Sequence, residues 1–206
     1  PTLDRGLAAL KNGDLGEAAA AFLAARNLAP DLPQAYLGLA EVAGRQGKDG
    51  EVDNWLREGL AHSPRNVELL RTLGRWQALK GRWSEAETAF QQAIKINPGS
   101  SDLHSALGEV YLHRKETLTK AEQEFRGAMK LDGRSVTAQV GLARALAGLG
   151  KGTEAQKALE AVVKANPGDP RPLHALSRLS AAQGKIDEAI TFSGKTIDVA
   201  SDYLPA

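Results

Sequence analysis

Pro30, Pro64 and Pro98 stand 34 residues apart, Gly133 follows one residue late, and Pro167 and Ser201 resume the 34-residue step. A fixed period of roughly 20–50 residues confines a chain to stacked copies of one supersecondary unit, as in solenoids, propellers and arrays. Other positions keep the same period. Twelve residues before each marker comes a small residue: Ala18, Val52, Ala86, Ala121, Ala155 and Ala189. Four residues after it five copies place a bulky one, Phe22, Leu56, Phe90, Phe125 and Leu159, whereas the sixth has Ser193. Three further on the residue is again small or β-branched: Ala25, Gly59, Ala93, Ala128, Val162 and Thr196.

Within each copy apolar residues recur at i, i+3, i+4 and i+7, the stripe of an amphipathic helix. A glycine or polar break at Gly13-Asp14, Gly47-Lys48, Gly81-Arg82, Lys115-Glu116, Gly150-Lys151 and Gly184-Lys185 divides every copy into two such helices. Proline at the marker cannot sit in a helix interior, so it ends one copy and redirects the chain. Small residues are expected where two helices approach most closely, as at Gly74 with Ala86 or Gly108 with Ala121, and the phenylalanine fills the space beside them.

Upstream, the fullest copies carry apolar-x-x-Leu-small: Tyr36, Leu39, Ala40; Leu70, Leu73, Gly74; His104, Leu107, Gly108 with Tyr111; Leu173, Leu176, Ser177. Together these positions resemble the tetratricopeptide repeat, W-x2-L-G-x2-Y followed by A-x3-F and P. The resemblance covers nearly all of residues 1–203 in six copies in phase. It implies an all-α fold, a right-handed superhelical α-solenoid of tandem helix-turn-helix repeats. The expected organisation is one array over 1–206, with copies at about 1–32, 33–66, 67–100, 101–135, 136–169 and 170–203. The extra residue near Lys115–Lys120 in copy four is expected to keep both helices and to bend the array slightly.

Composition excludes several classes. Twenty-six basic and 25 acidic residues leave a net charge of +1, without the basic balance of a nucleic-acid binder. Cysteine is absent, so there is no disulfide frame, and cytosol and bacterial periplasm are equally compatible. No apolar run approaches the ~20 residues of a membrane span. The first copy starts at its third position, and residues 201–206 read as the beginning of a seventh. The chain is therefore expected to be a segment of a longer protein, and its Ala-, Gly- and Arg-rich style is bacterial.

The search for chemistry yields no catalytic residue, cofactor site or metal site. Ala189-x4-Gly194-Lys195-Thr196 matches a relaxed phosphate-loop pattern, but its register places it inside a helix rather than between strand and helix. Gly148, Gly150 and Gly152 fall at a turn. His104 and His113 are nine apart, outside the i, i+4 spacing that brings two ligands to one helix face, and His104 takes a packing position. Trp55 and Trp83 read as packing residues and Trp76 as a candidate exposed anchor. The resemblance likewise implies no enzyme activity in the array.

In the resembled family the first helix of each copy lines a concave groove. The positions that face it here are Leu7, Glu41, Arg75, Glu109, Arg144 and Arg178, and one turn earlier Leu3, Leu37, Arg71, Ser105, Val140 and His174. Two roles are open to the charged members. Glu41, Arg75, Glu109 and Arg144 can pair from copy to copy as a solvated ladder, or Arg71, Arg75, Arg144, His174 and Arg178 can receive acidic groups of a bound peptide. A chaperone-binding subclass clamps a C-terminal carboxylate with Lys and Asn, but Glu41, Arg75 and Glu109 stand where its Asn belongs, so that role is not expected. The expected function is a protein-interaction scaffold holding an extended or helical segment in its groove. Alternatives are a recognition arm of a sugar-transferring or polysaccharide-export protein, and self-assembly through uncapped ends into homo-oligomers.

Overall fold

The computed structural model describes residues 2–201. Among them the regular structure is twelve α-helices and one 3-10 turn, without a strand. The chain divides into two compact units, 1–98 and 99–206. The first contains α1 (Thr2–Asn12), α2 (Leu15–Leu28), α3 (Pro33–Arg45), α4 (Asp49–His62), α5 (Val67–Leu79) and α6 (Trp83–Ile96). The second contains α7 (Ser101–Tyr111), the 3-10 turn Lys115–Thr117, α8 (Leu118–Leu131), α9 (Val136–Gly148), α10 (Gly152–Ala165), α11 (Pro170–Ala182) and α12 (Ile186–Ser201). Each copy thus supplies two helices.

Local chemistry explains the boundaries. Gly13, Gly47, Gly81, Gly150 and Gly184 all have positive φ, between 71° and 85°, at the turn between the two helices of their copies. In each case the next N–H reaches back five residues, as Lys48 N to Ala43 O (2.9 Å) and Lys151 N to Leu146 O (2.9 Å), which is the Schellman closure that favours glycine. Copy four lacks this glycine and spends its extra residue on the 3-10 turn. There Thr117 donates its hydroxyl to Tyr111 O at 2.7 Å and closes the turn from its side chain instead.

Where the marker is proline, second helices stop two residues before it, because the residue preceding proline is pushed out of the α region; α8 stops at the same place before Gly133, with Asp132 extended. Ala29, Ser63, Asn97 and Asn166 accordingly have φ between −142° and −128°. Ser201 imposes no such restriction, and it is the last residue of α12. Four first helices begin on side-chain caps, Asn66, Ser100, Ser135 and Asp169 each accepting a backbone N–H, whereas α3 begins on Pro33 after Leu32.

The core of each unit is the recurring aromatic plug. Phe22, Phe90 and Phe125 are essentially inaccessible to solvent. A Cβ placed on Gly6 or Gly38 lies within 2.8 Å of the Phe22 ring, and one on Gly108 or Gly141 lies equally close to Phe125. Phe22 therefore fills a slot between α1 and α3, and Phe125 one between α7 and α9, and glycine makes both slots. Copy six departs from this: Ser177 Oγ and Ser193 Oγ are hydrogen-bonded at 2.7 Å, and Ser177 also donates to Ala189 O at 3.0 Å. The outer side of α12 leaves Ile186, Ile190 and Ile197 exposed.

Candidate functional site

The positions expected to face a groove separate into the two units. In the first, Glu41 accepts from Arg45 Nη2 at 2.6 Å, one turn along the same helix. Arg71 is half-buried and pairs with Glu68, whereas Arg75 is exposed and carries no hydrogen bond or ion pair among the described residues. The expected Glu41–Arg75 rung does not form, because Arg45 stands nearer to Glu41 than the next copy does. Leu3 and Leu37 are half-buried and Leu7 is exposed.

In the second unit the rung does form: Arg144 Nη1 donates to both carboxylate oxygens of Glu109, at 2.7 and 2.8 Å, across from α9 to α7. Ser105 is buried rather than facing the groove. Beside this rung lies an open groove of about 1390 Å³. Its lining is drawn mainly from α9 and α11, with the end of α7, the 3-10 turn and residues of α8, α10 and α12. Val140 and Ala147 supply apolar surface, with Ala143, Ala175 and Leu179 buried beneath it; Lys115, Arg144, Arg171 and Arg178 supply positive charge, and His174 adds an imidazole.

These cations differ in availability. Arg144 is held by Glu109. Arg171 is held by Asp169, whose carboxylate accepts from Arg171 Nε, Nη2 and backbone N–H, while Arg171 Nη1 donates to Thr137 Oγ1 at 2.9 Å. Those Arg171 bonds, acting against partial burial, keep the Asp169 carboxyl below its usual range. His174 and Arg178, one turn apart on α11, are exposed and carry no hydrogen bond or ion pair among the described residues. The same is true of the Lys115 side chain.

The other singled-out residues are structural. His104 Nδ1 lies 2.7 Å from Glu124 Oε2, half-buried between α7 and α8. Trp76 is half-buried with Lys80 over its ring at 4.5 Å, so it is not an exposed anchor. Gly194, Lys195 and Thr196 lie inside α12, where no phosphate-cradling loop exists. Among the described residues there is no group of acids, histidines and cysteines able to hold a metal, and no helix long and apolar enough to cross a membrane.

One recurring contact escaped the sequence reading. Second-helix residues bond to the turn 29 positions later: Asp53 to Arg82 at 2.5 Å, Glu122 to Lys151 at 3.1 Å, and Gln156 to Lys185 at 3.4 Å. The signal was present as an acid or amide 29 residues before Arg82, Lys151 and Lys185. In the second unit the contact tethers the turns at Lys151 and Lys185 that border the groove.

Models of the tetratricopeptide repeat match residues 3–51, 67–100 and 112–179. The chain is a tetratricopeptide repeat protein. Tetratricopeptide repeat protein 7B of Homo sapiens is 29% identical over 123 residues, which are 60% of this chain and 14% of that protein. The tetratricopeptide repeat fold is shared with a protein from Parabacteroides merdae (TM-score 0.84, 21% identity, 96% of this chain and 78% of that one). It is shared also with PilF of Pseudomonas aeruginosa (TM-score 0.73, 21% identity, 93% and 86%). A third, YrrB, described as having an unusual peptide-binding site, has a TM-score of 0.64 at 21% identity, over 89% and 94%. Tetratricopeptide repeat arrays are protein-interaction scaffolds and are generally not catalytic, and this chain is of that class.

Proposed function

We propose that this tetratricopeptide repeat protein holds a segment of a partner protein in the groove of its second unit. The observation that carries the reading is the groove itself, at about 1390 Å³, formed by rigid helix faces and open along its length. Small-molecule sites are usually enclosed clefts of roughly 300–1,000 Å³. An open trough larger than that, with apolar stretches between charged side chains, suits a polypeptide. The helices that form it are closed by caps, glycine turns and plugs, so little ordering entropy is lost on binding. The peptide-binding site ascribed to YrrB is in keeping with this use of the fold.

The test is selection of a displayed random 12-residue peptide library on the protein, followed by photocrosslinking from benzoylphenylalanine installed at Val140 or, as control, at exposed Leu131 outside the groove. Selected peptides are expected to crosslink from Val140 and not from Leu131. Peptides that crosslink equally from both, or from Leu131 alone, place binding elsewhere and refute the reading.

A further inference from the structure

The groove of the second unit is basic by composition, yet its cations are not equivalent. Glu109 takes both bonds of the Arg144 Nη1 it faces, at 2.7 and 2.8 Å. Asp169 and Thr137 occupy Arg171. An acidic group arriving in the groove has to compete with Glu109 or Asp169 for these two, whereas Arg178 has no acid to give up. Among the described residues the rung position runs Glu109, Arg144, Arg178, so the alternation of sign fails at α11 and the preceding copy offers Arg178 no acid. His174 precedes Arg178 by one turn, on the same exposed face of α11. Lys115 is also unpaired, but it is a compact, strongly hydrated charge on a flexible stem, whereas the guanidinium is a planar fork that grips a carboxylate through two bonds.

We infer that Arg178, with His174 beside it, is the point at which the groove receives a carboxylate of the bound segment, and that Glu109 withholds Arg144 from forming a second such point. This rests on the groove reading and names the chemistry of its occupant: a protein segment acidic at one place, with apolar residues running toward Val140 and Leu179. Glu109 is then a specificity-determining residue through Arg144, without touching the segment. Removing its charge creates a second anion-receiving arginine on α9.

The experiment is the same 12-residue library selected in parallel on the native protein and on Arg178→Ala, Arg144→Ala, Lys115→Ala and Glu109→Gln, all exposed or half-exposed positions whose helix content is checked by circular dichroism. Enriched peptides are resynthesised with a fluorescein label and their affinities compared by anisotropy. Native selection is expected to enrich a single Asp or Glu flanked by apolar residues. In Arg178→Ala that enrichment disappears and the native-selected peptide binds about tenfold or more weakly, the scale of a hydrogen bond to a charged group. Arg144→Ala and Lys115→Ala keep both. Glu109→Gln enriches peptides with a second acid. Acid enrichment lost in Arg144→Ala or Lys115→Ala and kept in Arg178→Ala overturns the inference while leaving the groove reading intact, as does selection of peptides without acid that still crosslink at Val140. Failure of the native protein to select any peptide overturns both.

Discussion

Gly141→Ala is the substitution that most directly tests the plug-and-slot account of the core. A Cβ at position 141 falls 2.2, 2.4 and 2.6 Å from three atoms of the Phe125 ring, far inside the roughly 3.5 Å of ordinary carbon contact. The ring has no retreat: it is fully buried, and a Cβ on Gly108, at its other face, is only 2.8 Å away. Overpacking of a tight core costs about 1–3 kcal/mol, and the helix propensity of alanine over glycine returns about 1 kcal/mol. With the ring held on both sides the cost lies near its upper limit, so the net destabilisation is about 2 kcal/mol.

Copy five indicates how the clash is relieved. There the equivalent positions hold Leu159, Ala143 and Ala175, a smaller plug with larger steps. Phe125→Leu combined with Gly141→Ala is therefore expected to be more stable than the sum of the two single changes implies, with a coupling of about 1 kcal/mol or more. Urea unfolding followed by circular dichroism for the native protein, both single variants and the double variant closes the cycle. A Gly141→Ala midpoint at or above the native one, or strict additivity of the two changes, refutes the slot.

Three further outcomes follow from the same structure. Gly194 in α12 has nothing within 4 Å of its Cβ position, so Gly194→Ala is expected to stabilise by up to about 1 kcal/mol, seen as a higher urea midpoint. Bonds from Arg171 to Asp169, and from Arg126 and then Lys151 to Glu122, outweigh partial burial and hold both carboxyls below their usual range. Folded values below unfolded ones mean stability that is complete above about pH 4–4.5 and lost as pH falls through the folded values; in Asp169→Asn/Glu122→Gln the decline of the urea midpoint between neutral and acid pH should be shallower, and an unchanged decline contradicts this. Burial raises the Tyr36 phenol above its ordinary value, and its O–H donates to Pro30 O at 2.7 Å. That stability is complete below about pH 10 and lost above it, so Tyr36→Phe should cost about 1 kcal/mol at neutral pH and remove the alkaline loss, read from midpoints at pH 7 and above 10.

The fold was legible because the repeat places the same demand on the same position many times. The 34-residue step, the glycine turns and the small residue before each plug all reappear as helix boundaries, positive-φ turns and buried alanines. Failures occurred where one copy lacked the residue that makes the rule physical. Ser201 has no pyrrolidine ring, and α12 includes it rather than stopping two residues short. Ser193 has no ring to fill a slot, so a hydroxyl pair takes its place. Trp76 read as an anchor because its place in the period is irregular, yet packing and a cation over its ring account for it.

The candidate site was less legible because one acid can satisfy either of two cations, and a period of 34 residues does not say which. Glu41 has Arg45 at i+4 and closes on it at 2.6 Å, within its own helix. Glu109, at the equivalent place in copy four, has His113 at i+4 and crosses instead to Arg144, 35 positions on. Pairing inside a helix constrains two side chains on one rigid element, so at the rung position a cation one turn along captures the carboxylate, as Arg45 does Glu41. Second-helix acids differ: Asp53, with Arg57 at i+4, and Glu122, bonded to Arg126 at i+4, still reach the next copy. Arg178 follows by the same rule: the residue one turn before it is His174, the one after is Ala182, and the rung position of the preceding copy holds another arginine. Among the described residues no acid is in place to neutralise it. The net charge of such a groove is thus set by what stands four residues from each rung, and exchanging Arg45 and His113 between copies two and four should exchange which rung is closed across helices and which along one. Paired charge-reversal measurements on Glu41 and Glu109 in that swapped protein decide it: coupling of Glu109 to Arg144 that survives the exchange contradicts the rule.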